Sequence, residues 1–209
     1  MFYVGAGSSG RIGVLDASEI PPTFGASPSL VQGVIAGGVT ALYRAVEGAE
    51  DEKSGGALAL DERGIKDTDV VIGITASGRT PFVIGALARS KSLGAKTILL
   101  TCNPSGSQEV VVDLAINLVV GPEVLTGSTR LKGGTATKVA LNIVSTGAMV
   151  ALGKVRSNLM IDLRASSAKL RDRAVRVVAE LASRDYHSAR NLLEASDWNL
   201  RAVVAKIEK

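Results

Sequence analysis

Three short segments rich in glycine and hydroxyl side chains could each bind an anion. They are residues 5–11 (Gly-Ala-Gly-Ser-Ser-Gly-Arg), 75–80 (Thr-Ala-Ser-Gly-Arg-Thr) and 127–130 (Gly-Ser-Thr-Arg). Small residues let the backbone approach a ligand, and the free N–H groups and dipole at the start of a helix favour negative charge. Three such turns in one chain indicate a phosphorylated small molecule as ligand.

The acid–base candidates are carboxylates, because other proton-transferring side chains are scarce. His187 is the only histidine, and no group of His, Cys or acidic residues has the spacing of metal ligands. Glu19 is predicted at the end of a helix that begins at Ser9, directly before a Pro-Pro pair, where the helix dipole disfavours a carboxylate. Glu50 lies in a short acidic run. A functional role and a solvated surface position both remain open for each glutamate.

Two of the turns partly match nucleotide-binding motifs. Residues 5–10 fit the G-x-G-x-x-G fingerprint, but the second strand is followed by residues 36–38 (Ala-Gly-Gly) instead of an acidic residue for the ribose. Residues 73–80 resemble a P-loop in which Arg79 replaces the lysine. The sequence therefore disfavours a nicotinamide, flavin or ATP site.

Hydrophobic strands alternate with helices over most of the chain. The strands are predicted at residues 2–4, 30–36, 69–75, 96–102 and 114–120, and the helices at 9–18, 40–46, 81–93, 135–154, 166–184, 185–195 and 199–207. Continuous apolar runs are typical of parallel strands buried on both faces. We expect an α/β fold: a three-layer α/β/α domain with a five-stranded parallel sheet, followed by a short C-terminal helical tail.

The strand order decides where a ligand would bind. In the flavodoxin-like order 2-1-3-4-5, strands 1 and 3 are neighbours, and the crevice lies at their carboxyl ends. The first two turns follow these two strands, so they should meet there. The composition becomes more charged after Asp162, which predicts a sugar-phosphate-binding domain over residues 1–163 and a helical segment over residues 164–209.

Composition excludes several other classes. Of the 209 residues, 46% are hydrophobic and 21% are charged, as in a globular protein, and no apolar run reaches the roughly 20 residues of a membrane helix. The net charge is +4, but the basic residues are scattered and aromatic residues make up only 3%, which argues against nucleic-acid binding. We expect no signal peptide, because residues 1–4 run straight into the first glycine-rich turn, and the single cysteine, Cys102, fits a reducing cytoplasm.

Four longer strings carry a resemblance to a known family. They are residues 5–25, 45–51, 76–81 and 120–130. They closely resemble N-acetylmuramic acid 6-phosphate etherases, a branch of the sugar isomerase (SIS) domain group that also resembles the glucokinase regulatory protein. The first and last strings are the most distinctive for the etherases, and the similarity covers most of the chain.

The resemblance implies a lyase that converts N-acetylmuramic acid 6-phosphate into N-acetylglucosamine 6-phosphate and D-lactate during cell-wall recycling in the cytoplasm. It places the acid–base glutamates at Glu19 and Glu50, and it implies a homodimer without metal or organic cofactor. The first glutamate would be the principal acid–base group and would need partial desolvation. The substrate would contact the three turns through Ser8, Ser9, Arg11, Ser77, Gly78, Thr80, Ser128, Thr129, Arg130 and Lys132.

Two other functions are compatible with the same phosphosugar cradle. A non-catalytic regulatory SIS protein would not need Glu19 and Glu50 together, so their joint presence favours the enzyme. An aldose–ketose isomerase would share the deprotonation at C2 but would leave the lactyl ether intact. The resemblance also implies a helical segment before the first strand and a longer C-terminal portion in full etherases, so we expect that this chain corresponds to part of one.

Overall fold

Five parallel strands form the central sheet. A computed structural model of the chain describes residues 1–108 and 110–207. The strands are β1 (Phe2–Gly5), β2 (Gln32–Ile35), β3 (Val70–Ile74), β4 (Lys96–Thr101) and β5 (Leu114–Asn117). They lie in the order β2-β1-β3-β4-β5, and each neighbouring pair is parallel. The predicted sheet and its strand order are therefore confirmed.

Helices follow most strands and continue after the sheet. They are α1 (Gly7–Phe24), α2 (Lys53–Asp61), α3 (Pro81–Ser92), α4 (Pro104–Ser107), α5 (Lys132–Ala151), α6 (Ala168–Ala182), α7 (Tyr186–Glu194) and α8 (Leu200–Ile207). The predicted C-terminal helices are thus present. Within the part of the chain that the structure describes, no helix combines the length and apolar character needed to cross a membrane.

Helices cover both faces of the sheet. A Cβ built on Gly13 of α1 would lie 3.0 Å from Tyr3 Cβ of β1, so α1 packs on the face that Tyr3 occupies. A Cβ on Gly73 of β3 would lie 2.7 Å from Leu87 Cδ1 of α3. Tyr3 pairs with Ile72, and successive residues of a strand point to opposite faces, so α3 covers the other face. The predicted three-layer arrangement is confirmed.

The prediction that the first helix ends before Glu19 is wrong. Helix α1 continues through Pro21 and Pro22 to Phe24. A proline inside a helix removes a backbone hydrogen bond and costs about 3 kcal/mol. Ile20 and Phe24 are both buried, at 3% and 7% exposure. Their burial favours continuing the helix by about 1.5–3 kcal/mol for each side chain, which offsets much of the proline penalty.

The segment between β2 and β3 also differs from the prediction. Residues 40–46 are not an α-helix; a 3₁₀ turn covers Gly38–Leu42, and the next α-helix is α2. Glycine lowers helix propensity, which is why the Gly55-Gly56 pair concealed this helix in the sequence. A Cβ on Gly56 would lie 1.9 Å from the Phe82 carbonyl oxygen, so glycine is required there by the close packing of α2 on α3.

The described residues form two compact units. The first contains Met1–Ser18 and Pro28–Ile143, and the second contains Glu19–Ser27 with the described part of Val144–Lys209. The second unit includes a short antiparallel hairpin, β6 (Val155–Arg156) and β7 (Leu159–Met160), which the sequence analysis missed. The predicted domain boundary at residue 163 stays a prediction.

A small helical core organises the second unit. Its most deeply buried side chains come from α6, α7 and α8, and they include Ala174, Val178, Leu193 and Val203. Beside this core, the Asp162 carboxylate accepts hydrogen bonds from Arg201 and pairs with the Lys154 ammonium at 2.9 Å. Burial alone would raise the pKa of Asp162, but these two cations outweigh it and lower the pKa.

Candidate functional site

The first glycine-rich turn joins β1 to α1. Gly7 has a left-handed φ of 51°, and a Cβ on Gly5 would lie 2.6 Å from the Gly10 nitrogen. Glycine alone permits this close approach of the strand end to the helix start. Ser8 and Ser9 occupy the first turn of α1 and are half-buried. Their N–H groups precede the helical hydrogen bond that Gly10 donates, as an anion-binding turn requires.

The hydroxyl groups of the second turn are hydrogen-bonded to one another. Thr75 Oγ1 lies 2.7 Å from Thr80 Oγ1 and 3.3 Å from Ser77 Oγ. The Arg79 N–H donates to Ser77 Oγ at 3.2 Å. Thr75 is buried, Thr80 is half-buried and Ser77 is exposed. The buried threonine therefore fixes two of the predicted phosphate contacts, Ser77 and Thr80, relative to each other.

The segment after β4 supports the second turn from one side. Asn103 Nδ2 donates to the Ser77 carbonyl oxygen at 3.1 Å. Gly78 has a φ of 78°, and a Cβ there would lie 2.9 Å from Gly106 Cα. A side chain at Gly78 would be strained and would collide with backbone. The glycine thus has a packing reason for its presence in addition to its predicted substrate contact.

The first two turns leave the same edge of the sheet from neighbouring strands. Gly5 at the end of β1 pairs with Ile74 at the end of β3. The chain therefore enters both turns directly beyond one pair of residues. This is the crevice that the strand order predicts for a ligand of an open parallel sheet.

The Glu123 carboxylate, which lies just before the third turn, is hydrogen-bonded to the start of α5. Glu123 accepts hydrogen bonds from the N–H groups of Gly133 (2.8 Å) and Lys132 (3.0 Å). The Gly133 bond is the main reason why the pKa of Glu123 is lowered, and the Lys132 bond adds to it. Ser128 is half-buried, while Thr129, Arg130 and Lys132 are exposed. Two backbone N–H groups at the start of α5 are thus already bonded to Glu123.

The start of α5 lies beside Cys102, which directly follows β4, and beside Ile12 of α1. A Cβ on Gly133 would lie 3.3 Å from Cys102 Sγ, and one on Gly134 would lie 3.6 Å from Ile12 Cδ1. The third turn therefore adjoins the same region of the first unit as the other two. Burial raises the pKa of the Cys102 thiol, which disfavours the reactive thiolate form.

Glu50 lies beside the first turn. It lines a cavity of about 170 Å³ together with Ala6, Gly7 and Arg11. Its side chain is exposed, and its backbone carbonyl accepts a hydrogen bond from the Phe82 N–H of α3 at 3.0 Å. The structure thus brings one of the two predicted acid–base residues to the crevice end of α1.

Arg11 contacts the backbone of the 3₁₀ turn. Its Nε donates to the carbonyl oxygens of Ala41 (2.9 Å) and Leu42 (3.2 Å). The guanidinium is half-buried and borders the cavity that Glu50 lines. At least one of its nitrogens is therefore occupied by protein.

Glu19 belongs to the second compact unit. It lies about three helical turns after Gly7 in α1, and its side chain is exposed. His187 is also exposed. Among residues 1–108 and 110–207, no group of three or more His, Cys, Asp or Glu side chains could hold a metal ion.

Curated relatives are identical to this chain at about half of the aligned positions. An N-acetylmuramic acid 6-phosphate etherase of Symbiobacterium thermophilum is 54% identical over 98% of the chain, which covers 68% of that protein. Etherases of Pectobacterium atrosepticum (53% identical over 98% of the chain, covering 67% of the relative) and Klebsiella aerogenes (49%, 99% and 69%) are similar to it over the same extent. The chain belongs to the N-acetylmuramic acid 6-phosphate etherase family.

Two further comparisons concern part of the chain and its fold. The model of the glucokinase regulatory protein N-terminal SIS domain matches residues 1–91. A solved structure of the protein c3406 of E. coli CFT073, determined as a complex, is 21% identical, covers 75% of this chain and 72% of its own, and has a TM-score of 0.54. That likeness supports the fold alone. The chain spans about two thirds of the length of its etherase relatives.

Sequence reasoning missed the hydrogen bonds that two residues make at the candidate site, Thr75 and Glu123. Thr75 was assigned to the second turn but not as the centre of its hydrogen-bond network. A hydroxyl residue at the end of an apolar strand was the available signal. Glu123 precedes the third turn in the string Gly-Pro-Glu, but nothing in its spacing indicates a bond to N–H groups nine and ten residues later.

Proposed function

We propose that this chain is a carbon–oxygen lyase that cleaves the D-lactyl ether of N-acetylmuramic acid 6-phosphate. The products are N-acetylglucosamine 6-phosphate and D-lactate, and the setting is cell-wall recycling in the cytoplasm. Family membership supports the reaction. The observation that carries it in the structure is the position of Glu50 in a cavity formed with the first turn, at the sheet edge from which the second turn also emerges.

The reaction is an elimination followed by a hydration. Opening of the sugar ring exposes an aldehyde that acidifies the proton on C2. A carboxylate removes this proton, the bond between C3 and the lactyl oxygen breaks, and an acid protonates the departing oxygen to give D-lactate. Water then adds its oxygen to C3 and a proton returns to C2. A glutamate can act first as base and then as acid in such a sequence.

We assign the two proton-transfer roles to Glu19 and Glu50, with Glu19 as the principal acid–base group. Both side chains are exposed in the single chain. A general base near neutral pH works best when it is partly removed from water. Enclosure by a second subunit or by the substrate would supply that change, so the acid–base role predicts that the working site is more closed than the single chain.

The phosphate would bind to the hydroxyl-rich turns. Ser77 and Thr80 are held together by Thr75. Gly78 lies between them in the chain, and its lack of a side chain would let the phosphate come close to the backbone. Ser128 and Thr129 of the third turn would add further donors. Ser8 and Ser9 would face the sugar from the first turn of α1. Charge partners for the phosphate or the lactyl carboxylate would be the exposed cations Arg79, Arg130 and Lys132.

We also propose that the working protein is a homodimer. Val139 and Ile143 lie one turn apart on α5 and are 51% and 68% exposed. Leaving such side chains in water on a long helix is unfavourable, and a second copy of the chain would cover them.

The direct test is release of D-lactate from N-acetylmuramic acid 6-phosphate. Wild-type protein should form D-lactate, and Glu19→Gln and Glu50→Gln should each lower turnover by about a hundredfold or more while the sugar phosphate still binds. Binding without lactate in the wild type would favour the regulatory alternative. Unchanged turnover in either variant would remove that glutamate from the mechanism.

A further inference from the structure

The segment that carries Glu50 has little packing of its own. Residues 43–48 are all exposed, and they lie between the 3₁₀ turn and α2. A catalytic carboxylate must keep its position within a fraction of an ångström, because a misplacement of about 1 Å can cost a hundredfold in rate. The position of Glu50 therefore depends on contacts at the two ends of this segment.

The end that follows Glu50 is fixed by α3. The Phe82 N–H donates to the Glu50 carbonyl at 3.0 Å. Just beyond, α2 packs closely on α3, since a Cβ on Gly85 would lie 1.8 Å from the Lys53 carbonyl oxygen. Helix α3 thus holds the carboxyl-terminal side of the Glu50 segment.

The end that precedes Glu50 is fixed by Arg11. Its Nε donates to the carbonyls of Ala41 and Leu42, the last residues of the 3₁₀ turn. Hydrogen bonds from a charged donor are stronger than neutral ones. Val46 packs at the start of the same turn, where a Cβ on Gly37 would lie 2.8 Å from Val46 Cβ.

We propose that Arg11 is a positioning residue that fixes the Glu50 segment to the first turn, rather than a ligand of the substrate phosphate. Arg11 lies on α1 just after Ser8 and Ser9, so it links the helix that would bind the sugar to the segment that bears the acid. The first turn, the 3₁₀ turn and the Glu50 carboxylate then form one rigid arrangement. This assignment rests on the proposed function for its kinetic consequence, but the contact itself can be tested independently.

The test compares Arg11→Met, Arg11→Lys and the control Arg63→Met. Arg63, which follows α2, also donates to a backbone carbonyl, that of Ala59 in α2, at 2.7 Å. Neither residue lines the cavity that Glu50 lines. Arg11→Met should lower kcat about tenfold or more and leave KM and inhibition by inorganic phosphate unchanged. Arg11→Lys retains a donor and should recover part of the kcat, and Arg63→Met should resemble the wild type.

Amide hydrogen exchange separates this inference from the proposed function. In Arg11→Met, the amides of residues 43–51 should exchange faster, while those of β1 and β3 stay protected. This result is expected even if the wild type releases no D-lactate, an outcome that would count against the proposed lyase only. A higher KM together with weaker phosphate inhibition would identify Arg11 as a phosphate ligand and overturn the proposal. Unchanged exchange in residues 43–51, or an equal loss of kcat in Arg63→Met, would also overturn it.

Discussion

At the residue scale, the second turn depends on one buried hydroxyl. Thr75 is 2% exposed and contacts both Thr80 and Ser77 through Oγ1. An apolar residue of the same shape at position 75 would hold neither of these two side chains in place. Thr75 therefore positions Ser77 and Thr80, the two side chains that are proposed to bind the phosphate.

Replacing Thr75 by valine should weaken phosphate binding. The loss of a hydrogen bond of about 1 kcal/mol corresponds to roughly a fivefold increase in KM and in the inhibition constant of inorganic phosphate. Thr97→Val is the matched control, because Thr97 is also buried and bonds through its hydroxyl to Asp113 at the other end of β4. Equal effects of the two substitutions on KM would show that Thr75 has no specific role.

Glu123 gives stability a defined pH dependence. The folded state lowers its pKa through the Gly133 and Lys132 N–H groups, so its contribution is present above the unfolded pKa of about 4.3 and is lost as the pH falls through the folded value. The difference in the free energy of unfolding between wild type and Glu123→Gln should therefore shrink on acidification below about pH 5. Urea unfolding at several pH values measures this difference. A difference that stays constant with pH would contradict the stabilising hydrogen bonds from the Lys132 and Gly133 N–H groups to Glu123.

At the element scale, the packing of α2 on α3 fixes the segment that precedes α2. Cβ atoms at Gly56 and Gly85 would lie within 2 Å of backbone carbonyl oxygens, at 1.9 and 1.8 Å. Backbone cannot yield as a flexible side chain can. These two glycines therefore determine how closely the helices approach and, through α2, where the segment carrying Glu50 ends.

Gly85→Ala should lower the free energy of unfolding by about 1–3 kcal/mol or more, because the added methyl group forces the helices apart. Gly55→Ala is the control. It also lies inside a helix, α2, but a Cβ there would meet its nearest atom, Glu52 Cβ, at 3.4 Å, an ordinary van der Waals distance. Gly55→Ala should raise stability by about 0.5–1 kcal/mol through its better helix propensity. Chemical denaturation distinguishes the two, and equal stabilisation by both would refute the close contact.

The elements that the sequence predicts well are those with a strong local signal. Continuous apolar runs such as residues 69–75 identify the strands, and Pro81 and Gly94 mark the ends of α3. The errors arise where tertiary packing overrides local preference, as for α1 beyond Pro21 and for α2 with its paired glycines. The same reason explains the site: the turns are visible as motifs, whereas the contacts of Thr75, Glu123 and Arg11 depend on chain segments that meet only after folding.

At the scale of the whole molecule, α5 presents apolar residues to water. Val139 and Ile143 share one side of the helix and are more than half exposed. In the proposed homodimer this side would be covered.

Ile143→Glu should shift the protein from dimer to monomer, because it would bury a charge at the proposed interface. Sedimentation velocity measures the change, and D-lactate release should fall with it. Lys138→Glu places the same side chain on an adjoining, already polar position of α5 and should leave the association unchanged. A monomeric wild type would contradict the proposed homodimer.

The most direct measurement of the proposed chemistry is the fate of solvent oxygen. The reaction is run with N-acetylmuramic acid 6-phosphate in H₂¹⁸O, and both products are analysed by mass spectrometry. Elimination followed by hydration predicts ¹⁸O at C3 of N-acetylglucosamine 6-phosphate and none in D-lactate. The C1 oxygen of the sugar exchanges with water through the open-chain aldehyde, so fragment ions must separate C3 from C1. Label in D-lactate, with an unlabelled oxygen at C3, would mean that water attacks the lactyl carbon and would contradict removal of the C2 proton as the step that breaks the ether.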